Sequence, residues 1–166
     1  MNMFSISFTK KLTVAVCIFA IAITLASCSP PPDPVVSSLG EYINYVYYSS
    51  DGFQDYTTYA KYHYPSASFE GNAYFKKIEQ SDFSEIKRHL DDFEEWVTTD
   101  IKTDSSSELV NYDFDFASID TEDYFYIESE EGEMYNSGTI FTFFYKYNVY
   151  FFDTQTKTLY YFHNNI

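Results

Sequence analysis

Cysteine, glycine and positive charge are all scarce in this chain of 166 residues. Only two cysteines occur, and Cys17 lies inside an apolar run near the N-terminus. The five glycines follow no period, so the sequence indicates neither an internal repeat nor a glycine-rich phosphate loop. Ten lysines and arginines stand against 25 aspartates and glutamates, which gives a net charge of −15. Because like charges repel, this balance disfavours nucleic acid and anionic lipid headgroups and favours a cationic partner or none.

Motifs of catalysis are also missing from the sequence. Neither GxSxG nor HExxH occurs, and His63, His89 and His163 show no spacing typical of metal ligands. We expect each histidine at the surface or at the edge of a helix. Carboxylates are abundant, but the sequence selects no pair of them for acid–base chemistry. The sequence therefore predicts a non-catalytic protein without a cofactor. A hydrolase acting through carboxylates and a carrier of lipid or a small ligand are the alternatives.

The N-terminal region has the pattern of a targeting signal. Lys10 and Lys11 precede an uncharged apolar run over residues 12–26. Its length of about 15 residues suits the apolar segment of a signal peptide and is short of the roughly 20 that a spanning helix needs. The run closes with Leu25-Ala26-Ser27-Cys28. In this position, the four residues resemble the lipobox of bacterial lipoproteins.

This resemblance implies that residues 1–27 are removed and that Cys28 is lipidated. Lipidated Cys28 would hold the chain at the outer, extracytoplasmic face of the cell membrane. One acyl chain binds a bilayer only marginally, whereas two give a stable anchor, since each buried methylene contributes about 0.8 kcal/mol. An ordinary secretory signal cleaved near Ala26 and an uncleaved membrane anchor are the alternatives. Residues 28–38 hold four of the five prolines, which favours an extended spacer between the lipid and the folded domain.

Residues 39–166 have the length and aromatic content of one folded domain. Apolar residues at spacings of three and four predict a helix over 81–99, capped by Ser81. The pattern over 39–50 fits a helix or a strand, and a second helix is expected over 53–64, before Pro65.

Alternating patterns predict the strands of a sheet in the last third of the chain. They lie over 110–116, 124–127, 141–152 and 159–162, with a turn over 153–157. We therefore expect a two-layer α+β domain, in which a four-stranded antiparallel meander packs on one face against two or three helices. Such a domain resembles small bacterial cell-envelope lipoproteins that have no assigned activity.

Two kinds of surface are candidates for function. Acidic turns are expected at 120–123 and 128–133, and Asp120, Glu122 and Asp123 are weak candidates for a calcium site, although neither turn matches an EF-hand. Aromatic residues make up 22% of the chain. They either fill the core or form a binding surface on the sheet face away from the helices, around Phe144, Tyr150 and Phe152. A cationic peptide or protein is the partner that the acidity favours.

Overall fold

The computed structural model describes residues 33–50 and 56–165. The sheet lies in one compact unit, Val35–Ile166. The helices within the described residues are a short α1 (Pro34–Ser37), a long α2 (Phe83–Thr103) and two 3-10 helices, Glu108–Asn111 and Phe116–Ser118. The strands within the described residues are β1 (Asn44–Ser49), β2 (Tyr56–His63), β3 (Lys76–Lys77), β4 (Tyr124–Asn136), β5 (Thr139–Asp153) and β6 (Thr158–Asn165).

The strands form a single antiparallel sheet in the order β1-β2-β6-β5-β4-β3. The C-terminal strand β6 therefore lies in the middle, where Phe162 is paired with Tyr59 of β2 and with Val149 of β5. The two longest strands, β4 and β5, are neighbours in the chain and in the sheet. Phenylalanine, tyrosine and threonine make up ten of the fifteen residues of β5, in keeping with the preference of aromatic and β-branched residues for a pleated surface.

Helix α2 confirms the helix that the sequence predicts over 81–99. Its buried residues recur at spacings of three and four, which places Ile86, Leu90, Phe93 and Val97 on one face. That face packs on the sheet, where the rings of Phe93 and Phe162 lie 5.3 Å apart at nearly a right angle. The helix begins after Asp82, not Ser81, and Asp82 makes no side-chain cap to the helix.

The expected four-stranded sheet with two or three helices is wrong. The described residues form six strands and only one long helix, so the domain consists mainly of β-structure. The principal error is in the first third, where the antiparallel strands β1 and β2 replace the two possible helices. Tyrosines and threonines along this segment favour a strand, and the three- and four-residue spacing of its aromatics is compatible with alternation in a paired strand.

Two further segments differ from the sequence-based expectation. Residues 110–116 are not a strand, because Ser107 and Asp115 accept hydrogen bonds from the backbone N–H groups of Leu109 and Ala117 and begin two 3-10 helices. The acidic turn expected over 128–133 is instead the middle of β4. By contrast, the turn over 153–157 is confirmed, and the Asp153 carboxylate accepts hydrogen bonds from two of its backbone N–H groups.

Both faces of the sheet carry buried apolar clusters. The first lies between α2 and the sheet and includes Phe93, Phe151 and Phe162. The second lies on the opposite face, where Val36, Leu39 and the segment over 64–75 cover the sheet. The Tyr64 hydroxyl fixes this cover by donating a hydrogen bond to the Val36 carbonyl at 2.7 Å. The expectation of a sheet covered on one face only is therefore also wrong.

Candidate docking surface

The aromatic residues expected at an exposed surface are buried. Phe144, Tyr150 and Phe152 are 7%, 4% and 3% exposed, so their rings do not form a solvent-facing strip. A β-bulge in β5 explains part of the difference. Lys146 is paired with Glu130, but Phe144 is paired with Glu131, which leaves Tyr145 as an extra residue. Phe144 consequently belongs to the cluster beneath α2, whereas Tyr150 and Phe152 belong to the cluster on the other face.

The acidic candidates Asp120, Glu122 and Asp123 do not converge on a common point. Asp123 is buried and accepts hydrogen bonds from the N–H groups of Thr154 and Asp120 at 2.9 and 3.0 Å. Burial raises the pKa of the Asp123 carboxyl. Glu122 instead forms a 2.8 Å ion pair with Lys77. Among the described residues, no group of three or more His, Cys, Asp or Glu side chains is arranged to hold a metal ion.

The proposed lipidation site, Cys28, lies outside the described residues. In the described part of the chain, no helix combines the length and apolar character required to cross a membrane.

The outer half of the β4–β5 hairpin extends past the rest of the sheet. Strand β6 pairs with β5 only from Lys146 onward, and β3 pairs only with the first two residues of β4. Residues 131–145, here called the arm, therefore form a ladder of two strands within the described residues. Ser137 and Gly138 connect the strands, and both have positive φ, at 49° and 91°. This is the pattern of a tight type I′ hairpin turn.

The arm carries exposed apolar side chains on both of its faces. Tyr135 and Ile140 are 71% and 62% exposed, and the other exposed members are Met134, Phe141 and Tyr145. Cross-strand pairing places Met134 beside Phe141 and Gly132 beside Phe143, on the face turned away from α2. This face is here called the outer face. Gly132 leaves space for the Tyr145 ring, because a Cβ at residue 132 would lie only 2.2 Å from it.

Helix α2 fixes the inner side of the arm. Arg88 forms an ion pair with Glu131, and its guanidinium lies 4.6 Å from the centre of the Phe144 ring. The buried imidazole of His89 stacks on the same ring at 4.3 Å. Since α2 holds one side of the arm in place, the outer face presents its apolar side chains on a supported surface.

Negative charge lies at the base of the outer face of the arm. Between residues 128 and 146 the chain contains four glutamates and one lysine. Glu128 and Glu130 are exposed at the base of this face, whereas Glu133, which is paired with Thr142, is exposed on the opposite face. Lys146 lies opposite Glu130 in the strand pairing and offsets part of this charge. An apolar surface with an acidic rim is complementary to a basic partner that also carries apolar side chains.

Two buried histidines were not expected from the sequence. His89 and His163 are 0% and 4% exposed, contrary to the prediction of a surface or helix-edge position. The Nδ1 atom of His163 lies 2.7 Å from the Asn148 side-chain oxygen, and the His163 ring lies 4.7 Å from the Tyr56 ring. The alternation of β6 could have located His163 inside the sheet, but the short strand predicted over 159–162 ended before it.

Comparison with known proteins gives no match to a family model, a curated protein or a solved structure. The geometry and chemistry of the chain itself therefore carry the functional argument.

Proposed function

We propose that this chain is a non-catalytic binding protein, tethered by a lipid to the extracytoplasmic face of the cell membrane. The observation that carries this proposal is the arm. Its outer face exposes apolar and aromatic side chains on a two-stranded support and has an acidic rim. Exposed apolar surface of this kind is unfavourable in a monomer in water and is typical of a site that binds a partner.

The tether rests on the sequence of the N-terminal region. The Leu25-Ala26-Ser27-Cys28 motif follows an apolar run of signal-peptide length, and prolines are concentrated in the ten residues after it. Two acyl chains on Cys28 hold the protein at the bilayer, and the spacer separates the domain from it. A binding protein at this location meets partners that are secreted or exposed at the cell surface.

The partner is a cationic peptide or protein with apolar side chains next to its lysines or arginines. The charge supports this choice, because the chain has a net charge of −15 and Glu128 and Glu130 lie at the base of the outer face. Both strands of the arm have an outer edge without a strand partner among the described residues. An extended peptide can add to such an edge through backbone hydrogen bonds, while its side chains contact the arm. An antimicrobial peptide and a basic envelope protein both have this chemistry.

The alternatives of a hydrolase and a carrier receive less support from the described residues. The buried carboxylates of Asp123 and Asp153 accept hydrogen bonds from backbone N–H groups of neighbouring turns. These contacts stabilise the turns and give no support to acid–base chemistry. The space between α2 and the sheet is occupied by fully buried rings, including those of Phe93, Phe151 and Phe162. We therefore propose neither function.

A binding titration with arm variants tests the proposal. The full chain, purified in detergent, is titrated with a synthetic amphipathic peptide of lysine and leucine. Changing Met134 and Phe141 together to serine should weaken binding about tenfold or more, because their loss removes at least about 1.4 kcal/mol of apolar burial. Val110→Ser is the matched control, since Val110 is 67% exposed but lies outside the arm.

The salt dependence of the same titration tests the role of charge. Attraction between the acidic rim and the peptide weakens as the Debye length falls from about 10 Å at 0.1 M salt to about 3 Å at 1 M. We expect affinity to fall over this range. Equal effects of the arm and control variants, or an affinity that does not change with salt, would contradict the proposed docking surface.

A further inference from the structure

A cleft lies between the C-terminal half of α2 and the ends of β2 and β6. Its volume is about 140 Å³. Helix α2 contributes Trp96, Thr99 and Asp100, and the strands contribute Thr57 and Asn164. None of the residues that line the cleft belongs to the arm, so the cleft is a separate site and its function does not depend on the docking surface.

Asn164 at the cleft carries a buried hydrogen-bond donor without a partner. The residue is 2% exposed, and its Oδ1 accepts a hydrogen bond from the Thr57 hydroxyl at 3.0 Å. Its Nδ2 has no hydrogen-bond partner among the described residues. A buried donor left unsatisfied costs about 1–3 kcal/mol, so a native structure rarely keeps one without a reason. An acceptor atom on a ligand in the cleft would supply the missing partner.

The other residues of the cleft offer an aromatic wall and an acceptor. Trp96 is the only tryptophan of the chain, and its half-buried indole makes no ring contact with another described aromatic side chain. Tyr56 also lines the cleft. The Asp100 carboxylate accepts a hydrogen bond from the Ser107 hydroxyl through Oδ2, while no described residue donates to Oδ1. The site therefore combines ring surface, an amide donor and a carboxylate acceptor.

This combination selects a neutral ligand that carries hydroxyl groups. Lysine, arginine and histidine are absent from the described lining, and Asp100 repels an anion. A hydroxyl group can accept from the Asn164 amide and donate to the Asp100 carboxylate, because it has both capacities. The aromatic wall suits the apolar face of a ring. A cavity of about 150 Å³ is known to hold one benzene-sized ring, which sets the size of the ligand.

We propose that this cleft binds a single neutral sugar ring. The C–H face of the sugar stacks on Trp96, one sugar oxygen accepts a hydrogen bond from the Asn164 amide, and one sugar hydroxyl donates to Asp100. The proposal names a ligand class that the acidic docking surface does not recognise, and it assigns a role to the unpaired donor of Asn164.

Because Trp96 is the only tryptophan, its emission reports directly on the cleft. The full chain in detergent is titrated with a panel of free hexoses and N-acetylhexosamines, and calorimetry is run in parallel. We expect a saturable shift of the Trp96 emission to shorter wavelength, because stacking replaces water at the indole. Asn164→Ala should weaken binding about tenfold, in line with the loss of one buried hydrogen bond.

A matched pair of exposed threonines distinguishes a loss of binding from a failure to fold. Thr99 lines the cleft, whereas its neighbour Thr98 is exposed on α2 and does not line the cleft. We expect Thr99→Tyr to abolish binding by filling the site and Thr98→Tyr to leave it unchanged. The proposal is overturned if no sugar of the panel gives a saturable heat or emission change, or if Thr99→Tyr binds as well as Thr98→Tyr. It is also overturned if ethanolammonium, a small cation that Asp100 would attract, binds and the sugars do not.

Discussion

Acidification should destabilise this protein well above the pH at which carboxylates protonate, because His163 is buried in its neutral form. Its ring lies between Asn148 and the aromatic rings of Tyr56 and Tyr161. Burial, with a smaller contribution from the Lys146 ammonium, lowers the pKa of His163 from 6.5 to about 4. Protonation would place a positive charge in this buried site.

The size and sign of the effect follow from the two pKa values. The unfolded chain binds a proton at His163 below pH 6.5, whereas the folded chain binds it only below about pH 4. The stability that neutral His163 provides is therefore complete above pH 6.5 and is lost as the pH falls toward 4. The loss is about 2 kcal/mol by about pH 5 and about 3 kcal/mol by about pH 4, since one pKa unit corresponds to about 1.4 kcal/mol.

Urea unfolding of the wild type and His163→Gln at about pH 7 and about pH 5 measures this loss. We expect the wild type to lose about 2 kcal/mol more than the variant between these pH values. Burial also lowers the pKa of His89, so protonation of His89 adds to the stability that the wild type loses. The same measurement on His89→Gln gives the part of the loss that is due to His89. Burial raises the pKa values of Asp92 and Asp123, so their protonation on acidification stabilises the folded state. This contribution is the same in the wild type and the variant and cancels in the comparison. Equal losses in the wild type and His163→Gln would refute the reasoning.

Three further predictions concern the tether, a turn and the arm. In bacterial cells, Cys28→Ala should release the mature chain from the membrane fraction into soluble extracts, and unchanged partitioning would argue against lipidation. Asp123→Ala should lower the free energy of unfolding by about 3 kcal/mol in a urea titration, because it removes hydrogen bonds to the backbone N–H groups of Thr154 and Asp120. Gly132→Val should displace the Tyr145 ring and weaken peptide binding at the arm without lowering global stability by more than about 1 kcal/mol, as unfolding and binding titrations of the same variant would show.

Local signals in the sequence were sufficient for α2 and for the hairpin that joins β5 to β6. The α2 stripe of Ile86, Leu90, Phe93 and Val97 is long and regular, so its period is unambiguous. The turn over 153–157 contains Asp153, whose carboxylate binds the backbone N–H groups of the turn itself. These elements depend on contacts between residues close in the chain, and a sequence pattern reports such contacts well.

The elements that the sequence did not predict depend on pairing between distant residues. β2 is fixed by β6, whose residues are about a hundred positions away, as in the pair Tyr59 and Phe162. In β4, the run of glutamates has low intrinsic preference for a strand, and pairing with β5 overrides that preference. The turn at Ser137 and Gly138 was visible as a turn dipeptide between two runs, and this signal could have located the arm.

The aromatic excess left open whether the rings fill the core or form a binding surface, and it did not show which rings remain exposed. The bulge at Tyr145 moves Phe144 beneath α2 and leaves Met134 and Phe141 on the outer face of the arm. Because side chains alternate with a period of two, one extra residue exchanges the two faces of a strand. A single sequence contains no direct signal for such a bulge.

The central position of β6 constrains how the sheet forms during folding. β6 follows the other described strands along the chain but lies between β2 and β5, so the two parts of the sheet are joined only when β6 pairs with both strands. Chains with such non-local pairing fold slowly and expose unpaired strand edges until the pairing forms. Without β6 the sheet would divide into the β1–β2 pair and the three strands β5, β4 and β3, each part with an open edge that can aggregate. Protection of both inner edges from aggregation therefore depends on this one eight-residue strand.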